Sequence, residues 1–382
     1  MLLPLVNEPR DYAWGSHTLL ARLEGRPPAD RPEAEVWFGD HPACPARTLE
    51  GTPLDAWLAD AGATGAPARL PFLVKLLAAA SPLSIQAHPS KSQAEAGFAD
   101  EEAAGIPRDA PERTYRDDNH KPEVLVALSE RFRALAGLRD LAATRRLVAA
   151  LGAQGAPLEA RLHGDDLAPA LAWALAPDAA DEVAAVVASV VALEPIGEFA
   201  AEIALLRDLA RDNPADPGVL VALLMNLVTL TAGEALYLPA GVLHAYVEGL
   251  GVEVMATSDN VLRGGLTPKH VDVAGLLAIV DPRPTPPVVL DPVAAGSGVV
   301  RLTPGIPDFE ILRVDVAEHA IVQVEPAGVA VAVCTAGEVT LTGGGGASLS
   351  LVPGRALLAT PDEVSWAVTG SGTLYVAVPG RA

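Results

Sequence analysis

The chain has 382 residues, half of them apolar, and a formal net charge of −21. Its length suits two or three domains of ordinary size, and its apolar content excludes a disordered chain. The acidic balance excludes broad binding to nucleic acid or an anionic membrane, because both need a basic surface; a small anionic ligand in a local basic pocket remains open.

Two cysteines, Cys44 and Cys334, lack the C-x-x-C spacing of a zinc or redox site and are too few for a disulfide framework, so a reducing cytoplasm is the expected location. The N-terminus, MLLPLVNEPRDYAWG, has no basic segment followed by a long apolar run and does not read as a signal peptide. Residues 183–193 and 217–233 are apolar but shorter than the roughly 20 residues that cross a bilayer, and read as buried core. Of 27 basic residues only four are lysines, Lys75, Lys91, Lys121 and Lys269. Each stands within or beside a polar cluster. In a chain that otherwise uses arginine, a retained lysine suggests a need for a compact ammonium.

Residues 1–70 are rich in Pro and turn formers, with short aromatic segments at Tyr12–Gly15 and Glu35–Gly39 that read as strands and loops around tryptophans. His17 and His41 read as surface or loop hydrogen-bonding groups. Residues 83–89 alternate as a strand, with Ser84, Gln86 and His88 on one face and Leu83, Ile85 and Ala87 on the other. Pro89 ends it, leaving His88 at a mouth. An acidic loop or helix follows over 92–118. Asn119-His120-Lys121-Pro122-Glu123 then begins as a turn and becomes an apolar strand with Lys121 and Glu123 on one face.

From 129 to 216, Ala, Leu, Arg and Glu at helical spacing predict an all-helical insertion, broken near Pro157, Pro177 and Pro195. His163 within it reads as solvent-facing. A last helix over 217–228 leads to GEALYLPAGVLHAYVEGLGVEVMATSDNVLR. There Gly and Pro make the turn before His244, and alternation puts His244, Tyr246 and Glu248 on one face. A Pro-rich linker after Val280 marks a boundary. The remainder reads as all-β, with Gly343–Gly346 a hairpin tip rather than a phosphate loop, because no helix follows. GEALYLPAGVLHA also resembles GRALLATPDEVSW, which begins at Gly354, with Ser365 where the first copy has His244. Two β-barrel modules would follow, only the first keeping a ligand; chance similarity of two β-turn-β units is the alternative.

Three separated segments thus offer Gln86 with His88, Glu123, and His244, each beside a turn, as groups converging at one end of a barrel would be. Two imidazoles, a carboxylate and an amide oxygen suit a first-row divalent metal, with zinc the default. One carboxylate would leave the site positive and Lewis acidic, which is a catalytic arrangement rather than a closed structural one. Spacing alone is also met by a structural histidine after a turn and by a half-exposed edge strand at 83–89.

LPFLVKLLAAASPLSIQAHPSK, YRDDNHKPEVLVAL and GEALYLPAGVLHAYVEGLGVEVMATSDNVLRGGLTPKH closely resemble type I mannose-6-phosphate isomerases, zinc enzymes of the cupin superfamily; YAWG and AEVWFG fit as well. The resemblance implies a mainly β fold with an α-helical insertion, made of two cupin (jelly-roll) modules and a helical domain. The expected division is 1–128 with 217–281 as a catalytic unit, 129–216 as the helical insertion, and 291–382 as a β module without metal. It further implies one zinc ion on Gln86, His88, Glu123 and His244, the essential arginine at Arg263, and Lys121, Glu253, Ser84, Lys75 and Lys269 lining the pocket. Pro89-Ser90-Lys91 departs from the Pro-Asp-Lys or Pro-Asn-Lys usual in relatives.

The reaction so implied interconverts mannose 6-phosphate and fructose 6-phosphate through an enediol. Glu253 is the candidate base, with Lys121 and Arg263 stabilising developing charge and Ser84, Lys75 and Lys269 holding phosphate. His120, Lys121, Glu253 and Arg263 all stay open as acid or base, although His120 reads rather as a supporting or loop residue. A small sugar phosphate is the expected partner, and a monomer the expected state. The alternatives are a metal-dependent cupin isomerase of glucose 6-phosphate and a non-catalytic sugar-binding cupin.

Overall fold

The structure, a computed structural model, describes residues 1–60 and 65–381. Its described strands form two antiparallel sheets. One has ten strands: Glu35–Phe38, Phe72–Ala79, Gln86–Ala87, Glu123–Ala127, Phe132–Leu138, Met225–Leu230, Ala235–Leu238, His244–Ala256, Leu262–Arg263 and Val288–Val289. The other has nine, taking Leu2–Leu5 and every strand from Val293–Gly296 to Trp366–Val378. Helices Leu141–Ala149, Ala168–Leu175, Ala180–Val190, Ala200–Asp212 and Gly218–Leu224 lie between strands of the first sheet in the chain. The fold is mainly β with a helical insertion, as expected.

Strand His244–Ala256 organises the first module. Residues 249–256 pair with Phe72–Ala79, residues 251–255 with Glu123–Ala127, and residues 244–248 with Phe132–Leu138. The change of neighbours requires a bend, made at Gly249 with φ +129°, where a Cβ would stand 2.5 Å from the Phe132 ring. The second module repeats the device. Strand Ala356–Ala359 corresponds to Ala235–Leu238, Trp366–Val378 to His244–Ala256, and Gly370, with φ +109°, to Gly249. The faint sequence repeat is therefore a repeat of structure, extending beyond the thirteen residues that carry it.

Alternation along these strands separates two cores. Ile85, Ala87, Leu243, Ala245, Val247 and Leu262 point outward and pack with Leu171, Val187, Leu206 and Leu220 of the helices. Tyr246 points inward and packs with Leu77, Leu125, Phe132 and Leu238. Each fully buried aliphatic side chain contributes about 1.5–3 kcal/mol, so the helices hold in place the strands that carry the site. A further core, including Phe72, Val74 and Val252 with Phe309, Ile311 and Val331, joins the two modules.

Several elements differ from expectation. The span 129–216 is not wholly helical, because Phe132–Leu138 is a strand paired with Met225–Leu230 and His244–Ala256. Phe132, Ala134 and Ala136 face the barrel core while Leu135 and Leu138 face the helices. Gly137 has φ +67°, which interrupts a helix, and the helix begins only after Asp140, whose side chain caps it by accepting from the Ala143 N–H at 2.9 Å. The helix expected over 217–228 ends at Leu224, and Met225–Leu230 is a strand. Leu2–Leu5 leaves the expected catalytic unit to pair with Ala356–Ala359 in the second sheet. The strand expected over 83–89 keeps ladder pairing only at Gln86–Ala87, since Leu83 N–H donates to Tyr246 while Ile85 N–H donates to Gly265. Ser90, the departure from relatives, caps helix Lys91–Ala103 in a reciprocal box with Gln93, so the local role survives the change.

Candidate active site and metal centre

His88, Glu123 and His244 offer ligand atoms within 4.8 Å of one another, and all three are buried. His88 Nδ1 lies 2.7 Å from the Asn260 carbonyl and His244 Nδ1 lies 3.0 Å from the Val242 carbonyl. A carbonyl only accepts, so each Nδ1 carries a proton, and in a neutral ring Nε2 then presents a lone pair. These lone pairs face the Glu123 carboxylate, at 3.2 Å from His88 and 3.4 Å from His244. Burial, and then the Lys121 charge, pushes His88 down to about 4, so its ring is neutral. Its Nε2 is buried without a hydrogen-bond partner. Lone pairs set against a carboxylate in a dry site repel unless a cation stands between them, and the donor set fits a divalent metal. Gln86 lies beside the group on the cavity wall, with its backbone opposite His244 on one side and Arg263 on the other.

Lys121 Nζ donates to Glu123 Oε1 at 2.7 Å, as their shared strand face requires. Burial alone would push the Glu123 carboxyl up, but Lys121 and His88 hold it well below the usual carboxylate range. Beyond it sits a second carboxylate. Glu253 stands directly across the ladder from Lys75, which donates to Oε2 at 2.8 Å, while Tyr246 OH donates to Oε1 at 2.8 Å. Tyr246 OH is also 3.4 Å from Glu123 Oε2, and its ring packs edge-on against Phe132. Burial raises the Glu253 carboxyl; Lys75 opposes this, and the charges of Glu123 and Glu35 add to it. Glu35 lies 3.7 Å from Lys75 and accepts from Trp37 Nε1 at 2.7 Å.

Glu35, Lys75, Lys121, Glu123, His244, Tyr246 and Glu253 line one cavity of about 470 Å³, together with Tyr12, Trp14, Ser84, Arg263 and Lys269. A cavity of this size is right for a hexose phosphate. Of the expected site residues, Lys75, Ser84, Gln86, Lys121, Glu123, His244, Glu253, Arg263 and Lys269 lie on its wall, and His88 does not. Lys75 and Lys121 are charge-paired, whereas neither the Arg263 nor the Lys269 side chain has an anionic partner among the described residues.

Comparison with known proteins gives the same answer from the whole chain. Residues 2–141 match the model of the phosphomannose isomerase type I catalytic domain. Mannose-6-phosphate isomerases of Shigella flexneri and Escherichia coli K12 are 36% and 35% identical, each over 97% of this chain and 97% of their own. The chain belongs to the type I mannose-6-phosphate isomerases. A crystal structure of mannose 6-phosphate isomerase bound with zinc and yttrium shares the fold throughout, with TM-score 0.88 and 34% identity over 100% of both chains.

His120 is not among the residues lining the cavity, and its Nε2 lies 2.9 Å from Asp308 of the second module. His41, expected in a loop or at the surface, is buried against Asp259 at 3.2 Å. His163 is exposed, as expected, and His17 meets the Ala29 carbonyl at an exposed position. Lys91 is exposed and outside the cavity, whereas Lys75, Lys121 and Lys269 all lie on its wall. Tyr246 and Glu35 are the groups that sequence reasoning passed over. The signal for Tyr246 was its place on the His244 face; for Glu35 it was the alternation with Trp37.

Proposed function

We propose that this chain interconverts D-mannose 6-phosphate and D-fructose 6-phosphate through an enediol, with one zinc ion held by Gln86, His88, Glu123 and His244. The observation that carries this reading is the convergence of two imidazole lone pairs on a buried carboxylate beside a cavity of sugar-phosphate size. When bound, the zinc ion supplies Lewis acidity toward the substrate carbonyl and adjacent hydroxyl. Glu253 takes the proton from C2 of the aldose and returns it to C1 of the ketose. Lys75 and Tyr246 fix its carboxylate by holding one oxygen each, and burial raises its basicity. Lys121 and Arg263 stabilise charge on the enediol oxygens.

Ser84 and Lys269 belong at the phosphate end. Lys75, expected there, is instead buried between Glu253 and Glu35, and is a partner of the base rather than of the substrate. We also propose a discontinuous catalytic unit, with Phe132–Leu138 and Met225–Leu230 assigned to it, around a helical insertion and followed by a metal-free β module. The enzyme is proposed to act as a monomer in the cytoplasm; both cysteines are free, and no helix among the described residues is long and apolar enough to cross a membrane.

The test is turnover of mannose 6-phosphate and glucose 6-phosphate, each followed by a coupled assay for fructose 6-phosphate. Preference for the mannose substrate is expected. A clear preference for glucose 6-phosphate contradicts the substrate assignment, and failure to turn over either one contradicts the enzyme reading.

A further inference from the structure

The cations around the cavity fall into two groups. Lys75 and Lys121 are buried and held by carboxylates at 2.8 and 2.7 Å. Arg263, whose backbone pairs with that of Gln86, and Lys269 have no anionic partner among the described residues. A third unpaired cation lies on a loop tied through Asn260 to the segment that bears Arg263, off the cavity wall. Arg116 is exposed, and its guanidinium has no hydrogen bond or ion pair among the described residues.

The backbone of Arg116 is nevertheless tightly placed. Its N–H and that of Asp117 donate to Asn260 Oδ1 at 2.7 and 3.3 Å. The Asn260 amide donates in return to the carbonyls of Asp117 and Asn119, both at 2.8 Å. Asn260 is fully buried, its carbonyl orients His88, and the chain runs from it into Leu262–Arg263. One asparagine thus locks the Arg116 loop to both the metal centre and the segment bearing Arg263.

The nearby acids are engaged elsewhere. Asp117 accepts from Ser258 Oγ and from the Asn119 and Asp259 N–H groups, and Asp259 pairs with His41. The like charges feel one another. Burial, and then Arg116, pushes the Arg263 guanidinium down; burial, then Arg263, then Arg116, does the same to Lys269. Asp259 also feels the Arg116 charge but makes no ion pair with it, and a dianion placed beside these cations relieves their mutual repulsion.

We propose that Arg116 is a substrate-binding residue that completes the site for the 6-phosphate together with Lys269. This rests on the isomerase reading and deepens it. Lys75, Lys121 and Arg263 lie by the metal and the base, where proton transfer occurs, while Lys269 and Arg116 take the far end of the sugar. The hexose phosphate is thereby oriented with C1 and C2 toward Glu253.

The test uses the zinc-loaded full chain as wild type, Arg116→Ala and Arg116→Lys. It reads KM and kcat for mannose 6-phosphate, competitive inhibition by inorganic phosphate, and phosphate binding by calorimetry. In Arg116→Ala, KM and the phosphate inhibition constant are expected to rise in parallel by about 5- to 20-fold, as for loss of one charge-assisted contact, with kcat within about twofold. Arg116→Lys is expected to recover most of the loss. Equal KM and phosphate affinity in Arg116→Ala and wild type would overturn the proposal, as would a loss confined to kcat. Calorimetry separates the two claims: phosphate binding that depends on Arg116 stands even if wild type fails to turn over, whereas wild-type turnover with Arg116-independent binding removes this inference alone.

Discussion

His244→Ala is expected to reduce bound zinc from one per chain to near zero and to lower kcat by about 10³-fold or more, the several kcal/mol that a Lewis acid contributes to charge stabilisation. His244 supplies one of two Nε2 lone pairs aimed at Glu123, and the Val242 carbonyl fixes its tautomer. The ring has no other polar partner, so its removal takes a ligand and leaves the backbone pairing of strand His244–Ala256 intact. The second module already carries this change, with Ser365 just before the equivalent strand, and no metal-ligating cluster is found there among the described residues. Metal content of the purified variant and its rate on mannose 6-phosphate check the expectation. Full zinc with near-normal turnover would remove His244 from the centre.

Glu253→Gln is expected to lower kcat by about 10²- to 10⁴-fold while leaving zinc bound, the range for loss of a positioned general base. Glutamine keeps the shape of the side chain and loses its basicity. Lys75 still has Glu35 at 3.7 Å, which moderates the cost of breaking a buried pair. The sign of the pH effect follows from the raised carboxyl. In wild type the rate falls as pH drops through a value above the ordinary carboxylate range, because the base becomes protonated. The variant should lose that acid limb. If Lys121 carries the proton instead, Glu253→Gln will keep most of its rate and Lys121→Gln will lose it; parallel pH profiles of the two variants distinguish these cases.

The ligands were legible because a strand in an apolar segment normally alternates apolar with polar only when one face is wet. Ser84, Gln86 and His88, and later His244 and Tyr246, put polar groups on the inward face of a buried barrel, which calls for a ligand. The pairing of Lys75 with Glu253 was not legible. It depends on the register of two strands far apart in the chain, and nothing local fixes that register. The same limit hid Arg116, whose place is set by Asn260 through contacts across more than a hundred residues. Helical spacing misleads where Phe132–Leu138 and Met225–Leu230 are strands because short apolar runs carry both periodicities; pairing of Phe132–Leu138 with residues 244–248 and with Met225–Leu230 decides between them. Leu2–Leu5 shows no trace in sequence of the second module that it joins.

The central claim is that a single ion between His88, Glu123 and His244 is what makes the cavity an isomerase. Zinc should be measured in the purified protein, along with the rate on mannose 6-phosphate, before exhaustive chelation, after it, and after zinc is returned. One zinc per chain, loss of turnover on its removal and recovery on its return are predicted; undiminished turnover by fully metal-free protein would contradict the account.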